Sequence, residues 1–198
     1  MTSVQYMVLA ISVIGVSGSG KTTTIEYLIS CLSKEGFRVG SIKHVHRTEF
    51  SIDTPGKDTW RHMKAGALVT VSVAPKEIAV IKKTTASKNQ HDLDKIISLL
   101  DNEALDIIFL EGLHSLVAKR TDIPKIIAAK DLGDLKKILE GTTPPILAVT
   151  GLVARDKFDA RVLSDLKIPI IDLYKEGDAL LELVKNYISN LHVRPDSR

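Results

Sequence analysis

The sequence predicts an α/β fold, a mostly parallel central sheet with helices on both faces, and three observations carry that prediction. Short apolar runs rich in β-branched residues recur along the chain, and they read as strands buried on both sides. Segments with apolar residues at helical spacing alternate with those runs. The first run, Met7 to Ile14, passes straight into Gly15-Val16-Ser17-Gly18-Ser19-Gly20-Lys21-Thr22, a glycine-rich pattern placed where a strand hands over to a helix.

That pattern is the phosphate-binding P-loop with every fixed position filled, which specifies the fold further as that of a P-loop NTPase. Gly15, Gly18 and Gly20 let the backbone turn tightly and bring its N–H groups, with Ser17, Ser19 and Thr23 in the same cradle, close to phosphate oxygens. Lys21 is placed to reach the β- and γ-phosphates, and the Thr22 hydroxyl to ligate Mg²⁺. The helix that starts near Lys21 aims its positive dipole end at the same anion. Ile25, Leu28, Ile29 and Leu32 give that helix an apolar face, and Gly36 ends it.

The rest of the chain continues the alternation. Phe37 to Ile42 reads as a second strand, reached by a right-handed crossover. Lys43 to Thr54 is polar and without clean period, and a loop this long in a compact domain is usually functional. Trp60 to Ala67 reads as a short helix closed at Gly66. Leu68 to Val73 and Glu77 to Lys83 form a β-hairpin extension around Ala74-Pro75-Lys76. His91 to Leu100 is an amphipathic helix. Leu105 to Gly112, Ile123 to Ala129 and Ile146 to Thr150 are further strands, with a helix over Leu132 to Leu139. Ile168 to Asp172 is expected as a last edge strand, because it contains Pro169. Residues 176–191 close the chain as a helix. The expected organisation is one nucleotide-binding domain over 1–191, after a ragged lead-in at 1–5, and a disordered tail over 192–198.

The bulk properties narrow the function. At 198 residues, 44% hydrophobic and 26% charged, the chain can bury a full core without staples. No run approaches the roughly 18 apolar residues of a membrane span. The apolar N-terminal segment lacks a basic start and a cleavage site, so a cytoplasmic protein is expected. A net charge of +3 with scattered lysines and arginines gives no nucleic-acid surface. The single cysteine, Cys31, excludes an internal disulfide and reads as an inert thiol in the first helix.

A P-loop needs a second carboxylate for the metal or its bound water, at the end of a neighbouring buried strand. Glu111 fits, after four apolar residues and before Gly112, and a carboxylate there calls for Mg²⁺ or a cation partner. Asp106 begins the same strand and belongs at its far end. Asp53, Lys57 and Asp58 follow the second strand and would emerge at the same carboxyl edge. Asp53 then supports Mg²⁺ or orients the attacking water, and Lys57 offsets phosphate charge; the other reading is a turn with solvated charges. His44 and His46 alternate and share one face of a strand. No cysteine or third histidine stands at ligand spacing, which favours phosphate or partner binding over a transition metal.

These residues together resemble the molybdopterin-guanine dinucleotide biosynthesis protein B (MobB) family. The matching pieces are Gly15 to Thr23, Val39-Gly40-Ser41-Ile42-Lys43-His44, Asp53-Thr54-Pro55-Gly56-Lys57-Asp58-Thr59, Ala65-Gly66-Ala67 and Asp106 to Gly112, in the family's order. The resemblance implies a GTP-binding homodimer with weak GTPase activity. It would act as an adaptor to a partner nucleotidyltransferase (MobA) that attaches GMP to molybdopterin. Carried over by position, Lys21 and Thr22 are the phosphate and Mg²⁺ residues, Glu111 the acidic residue at the strand end, and Asp53 to Asp58 the second loop of the site. Two departures stand out: Arg47 replaces the second of a histidine pair, and Pro124-Lys125-Ile126-Ile127 lacks the acid of the family's Pro-Lys-Ile-Glu element. Guanine is implied by resemblance alone, since no Asn-Lys-x-Asp run is present; Thr150-Gly151 stands where a base-contacting loop could lie.

Two other readings use the same P-loop. A small-molecule kinase using ATP would need an arginine-bearing lid; Arg120 and Arg155 are available, but neither lies in a recognisable one. A nucleotide-stabilised interaction module would have no need to keep Lys21, Thr22 and Glu111 together.

Overall fold

The computed structural model describes residues 8–47, 49–84, 92–155 and 167–192. Within the span read above as one nucleotide-binding domain, contacts divide into two compact units: Met1–His44 with Leu93–Arg198, and Val45–Asp92.

Among its described residues the first unit holds five parallel strands: β1 (Leu9–Ile14), β2 (Val39–Lys43), then, numbered past the second unit's β3 and β4, β5 (Ile107–Glu111), β6 (Lys125–Ala129) and β7 (Ile146–Gly151). Their order is β2-β5-β1-β6-β7. The chain therefore leaves β1 in one direction for β2 and β5, then crosses it to β6 and β7. Such a reversal opens a crevice at the carboxyl ends of the central strands, where α/β proteins bind ligands. The strands are apolar on both faces because both faces are covered. Ile11, Val13, Ile107, Phe109, Ile126 and Ala128 face α1 (Lys21–Lys34) and α6 (Leu173–His192), which bury Ile25, Leu28, Leu32, Leu180 and Val184 against them. Ala10, Ile14, Ile108, Leu110, Ile127 and Val149 face the other layer, from α3 (Leu93–Ile97), α4 (His114–Val117) and α5 (Leu132–Gly141). Each large side chain so buried contributes about 1.5–3 kcal/mol of transfer free energy.

Two expectations need correction. Ile168 to Asp172 is not a strand: it makes one parallel bridge, Ile170 with Val149. Val149 N–H donates to Pro169 O and Ile171 N–H to Val149 O, but Pro169 has no N–H with which to extend the ladder. Asp172 then turns the chain into α6, its Oδ1 accepting the Tyr174 N–H at 3.1 Å. The helix expected over His91 to Leu100 is α3 followed by a 3₁₀ turn over Ser98–Glu103, and His91 lies outside the described residues, as do the lead-in and residues 193–198. α6 is interrupted at Glu176, with φ −129° and ψ 25°.

The second unit contains α2 (Asp58–Lys64) and an antiparallel hairpin of β3 (Val69–Ala74) and β4 (Glu77–Lys82). Its register pairs Val71 with Val80 and Val73 with Ile78, so these four side chains share one face with Val69. All five are exposed.

Candidate functional site

The glycine-rich loop, residues 15–20, joins β1 to α1 and is pressed against β6. A Cβ on Gly15 would lie 2.0 Å from Ala128 O, so only glycine fits there. α1 begins from Gly20 with no side-chain cap and no acidic residue in its first turn, whereas the Asp131 side chain caps α5 through the Asp134 N–H. The first N–H groups of α1 are thus left for an outside acceptor, which makes the loop an anion site.

Lys21 arches back over the loop and donates to Val16 O at 2.6 Å. Burial pushes its ammonium below the ordinary lysine range; Glu111 opposes this, and the charges of Lys43 and Lys130 add to it. Lys130 closes the other side of the loop: a Cβ on Gly18 would lie 3.8 Å from its Nζ. Three ammonium groups around one carboxylate leave the site short of negative charge.

That carboxylate is Glu111. Strand β5 lies between β1 and β2, and its register sets Glu111 beside Val13 on one side and Lys43 on the other. Its Oε1 accepts the Thr22 hydroxyl at 2.7 Å and the Lys43 ammonium at 3.0 Å. Glu111 is 13% exposed at the side chain, so Lys43 is the cation partner that a half-buried carboxylate requires. A carboxylate and a hydroxyl side by side are the hard oxygen donors that Mg²⁺ takes, and two protein ligands suffice for an ion that keeps most of its waters. The donor set fits Mg²⁺. No group of three or more His, Cys, Asp or Glu suited to a metal occurs among the described residues. His44 Nδ1 lies 3.3 Å from Gly112 O, and His46 is exposed.

The opposite wall comes from the end of β7 and the start of α6. Thr150, Gly151, Leu152, Arg155, Leu173 and Tyr174 line one cleft with residues 18–24. Gly151, at φ +95°, lets the two walls meet, since a Cβ there would lie 2.4 Å from Ser19 O. The Ser19 and Thr150 hydroxyls are buried without a hydrogen-bond partner among the described residues, two polar groups in the lining that the fold itself does not use.

The first unit therefore brings together Gly15, Ser17 to Thr23 and Glu111. Asp53, Lys57 and Asp58 belong to the second unit. There Asp53 Oδ1 accepts the Thr54 N–H and the Thr59 hydroxyl, both at 2.9 Å. Lys57 is exposed and precedes α2; Asp58 opens that helix and lies 3.6 Å from Arg61. Lys43, Lys130 and Tyr174 escaped sequence reasoning as site residues, and Arg155 entered it only as an arginine available for a lid. Lys43 had a signal in its position at a strand's carboxyl end; Tyr174 had none, because only the fold brings it to the loop.

A family model described as MobB, molybdopterin guanine dinucleotide synthesis protein B, matches residues 10–151. The molybdopterin-guanine dinucleotide biosynthesis adapter protein of Escherichia coli is 37% identical over 115 residues, which are 58% of this chain and 62% of that protein. The chain thus spans less than two thirds of that relative. The protein of the same name in Haemophilus influenzae is 28% identical over 92% of this chain and 90% of its own length. Among solved structures, Bacillus subtilis MobB superposes with a TM-score of 0.68 at 24% identity, over 90% of this chain and 96% of that one. That likeness shows the fold, an α/β architecture with a mostly parallel central sheet and helices on both faces.

Proposed function

The chain belongs to the MobB family, and on that premise we propose that it binds Mg²⁺–GTP, hydrolyses it slowly and serves as an adapter in molybdopterin guanine dinucleotide biosynthesis. One observation carries the nucleotide part: the Thr22 hydroxyl and the Lys43 ammonium meet on Glu111 Oε1 beside an uncapped helix N-terminus. The adapter part rests on the family and on the names of the relatives in E. coli and H. influenzae. GTP, rather than ATP, rests on that family alone.

In this reading the loop N–H groups and the α1 N-terminus bind the β- and γ-phosphates. Lys21 exchanges the Val16 carbonyl for a phosphate oxygen. Thr22 and Glu111 hold Mg²⁺, which when bound offsets the phosphate charge. By sequence position Asp53 would support Mg²⁺ or orient the attacking water and Lys57 would offset phosphate charge, and the family resemblance gives Asp53 to Asp58 the second loop; in the structure these residues belong to the second unit. The partners are a MobA-like transferase and a second copy of the chain, in the cytoplasm. The exposed apolar face of the β3–β4 hairpin supports a protein contact of that kind. Arg120 is held by Asp94 at 3.0 Å and by Asp122, which argues against its serving as a kinase lid.

Phosphate release tests the reading. Slow, Mg²⁺-dependent release from GTP with no acceptor added, falling at least about tenfold in Lys21→Ala, is expected for loss of a charge-assisted contact to phosphate. Nucleoside diphosphate formed only when a small-molecule acceptor is added, with the phosphoryl group on that acceptor and no free phosphate released, would mark a kinase.

A further inference from the structure

We propose that Arg155 and Tyr174 form the platform on which the base of the bound nucleotide stacks, an inference that rests on the triphosphate reading of the glycine-rich loop. The Arg155 guanidinium lies 3.8 Å from the centroid of the Tyr174 ring. Both residues line the cleft that holds residues 18–24. Tyr174 is 68% exposed, and neither it nor Arg155 joins either apolar core, so the stack is not there to hold the fold together.

The backbone beneath the ring is nonetheless braced. Asp172, 7% exposed, accepts the Tyr174 N–H at 3.1 Å and binds Lys175 at 3.2 Å. The wall also lies tight against the phosphate end, because a Cβ on Gly151 would lie 2.4 Å from Ser19 O. A guanidinium plane and a phenol ring beside the apolar Leu152 and Leu173 are surfaces that a flat aromatic ligand covers. They offer π-faces rather than an array of hydrogen-bonding edges. The platform therefore strengthens GTP and ATP alike and contributes nothing to an inorganic triphosphate.

Calorimetric titrations with Mg²⁺ and GTP, ATP or inorganic tripolyphosphate test this on the parent protein and on Tyr174→Ala, Tyr174→Phe, Arg155→Ala and Lys21→Ala. We expect Tyr174→Ala and Arg155→Ala to weaken GTP and ATP roughly ten- to hundredfold while leaving tripolyphosphate unchanged. Tyr174→Phe, which keeps the ring, should retain nearly the parent affinity, and this separates lost stacking from a damaged fold. Unchanged GTP and ATP affinity in Tyr174→Ala would overturn the platform, as would an equal loss of tripolyphosphate, which would make the pair a phosphate contact. Lys21→Ala reports on the underlying site: loss of all three ligands upholds the triphosphate reading whichever way Tyr174 behaves. Parent-like binding of all three in Lys21→Ala would remove that reading and the platform with it.

Discussion

Lys21 is pulled in opposite directions by its surroundings, and the balance has a measurable consequence. Burial and the two neighbouring ammonium groups lower its pKa against the pull of Glu111, whereas a bound triphosphate favours the charged form and raises it. Binding then takes up a proton above the lowered free-protein pKa. Triphosphate affinity should be flat in pH below that value and fall as pH rises through it towards the raised value of the bound state. Titrations carried up to the ordinary lysine range should show this fall in the parent and not in Lys21→Ala, apart from what other titrating groups contribute in both. At this scale the sequence was informative wherever function is written in neighbouring residues. Gly15 to Thr22 is one continuous pattern, and Glu111 is announced by the apolar run before it. Lys43 on Glu111 and Arg155 on Tyr174 were out of reach, because each pair depends on strand order and on a turn set by Asp172.

The elements behave as a frame that holds two walls at a fixed separation. Gly151 is where they meet, with φ +95° and space for a hydrogen but not a methyl group. Gly151→Ala should lower stability by about 1–3 kcal/mol, the usual cost of a residue forced into such backbone, and weaken triphosphate binding at the same time. Urea denaturation and nucleotide titration of one preparation would check both; unaltered stability would mean that the walls are free to separate. Most elements were legible, since the helices carry apolar stripes and the strands are continuous apolar runs. Ile168 to Asp172 misled because an apolar, β-branched composition says nothing about whether the N–H groups find partners. Pro169 and the Asp172 turn decided that instead.

For the whole molecule, the sheet order leaves the crevice beside β1, while the hairpin of the second unit exposes Val69, Val71, Val73, Ile78 and Val80 on one face. Covering that face with a second copy fits the proposed homodimer. Burying the half of Val71 and Val80 that is still exposed would contribute roughly 1.5–3 kcal/mol per copy. Val71→Lys with Val80→Lys should therefore raise the dimer dissociation constant by at least about a hundredfold while the glycine-rich loop of the first unit keeps its nucleotide affinity. Sedimentation velocity measures the first and calorimetry the second; a dimer that survives the double substitution would place the contact elsewhere. The alternation of strands and helices disclosed the architecture, but no local pattern discloses which faces await a partner.

The loop, Lys21, Thr22 and Glu111 form the proposed Mg²⁺–nucleoside triphosphate site, and GTP is the nucleotide proposed for it. Calorimetric titration of the parent and Lys21→Ala proteins with GTP and then ATP, each with Mg²⁺, tests it most directly. The account predicts GTP bound well ahead of ATP, with affinity in Lys21→Ala reduced by about 3 kcal/mol, roughly a hundredfold. ATP binding as well as or better than GTP would contradict the adapter reading in favour of a kinase, and undiminished binding in Lys21→Ala would contradict the site itself.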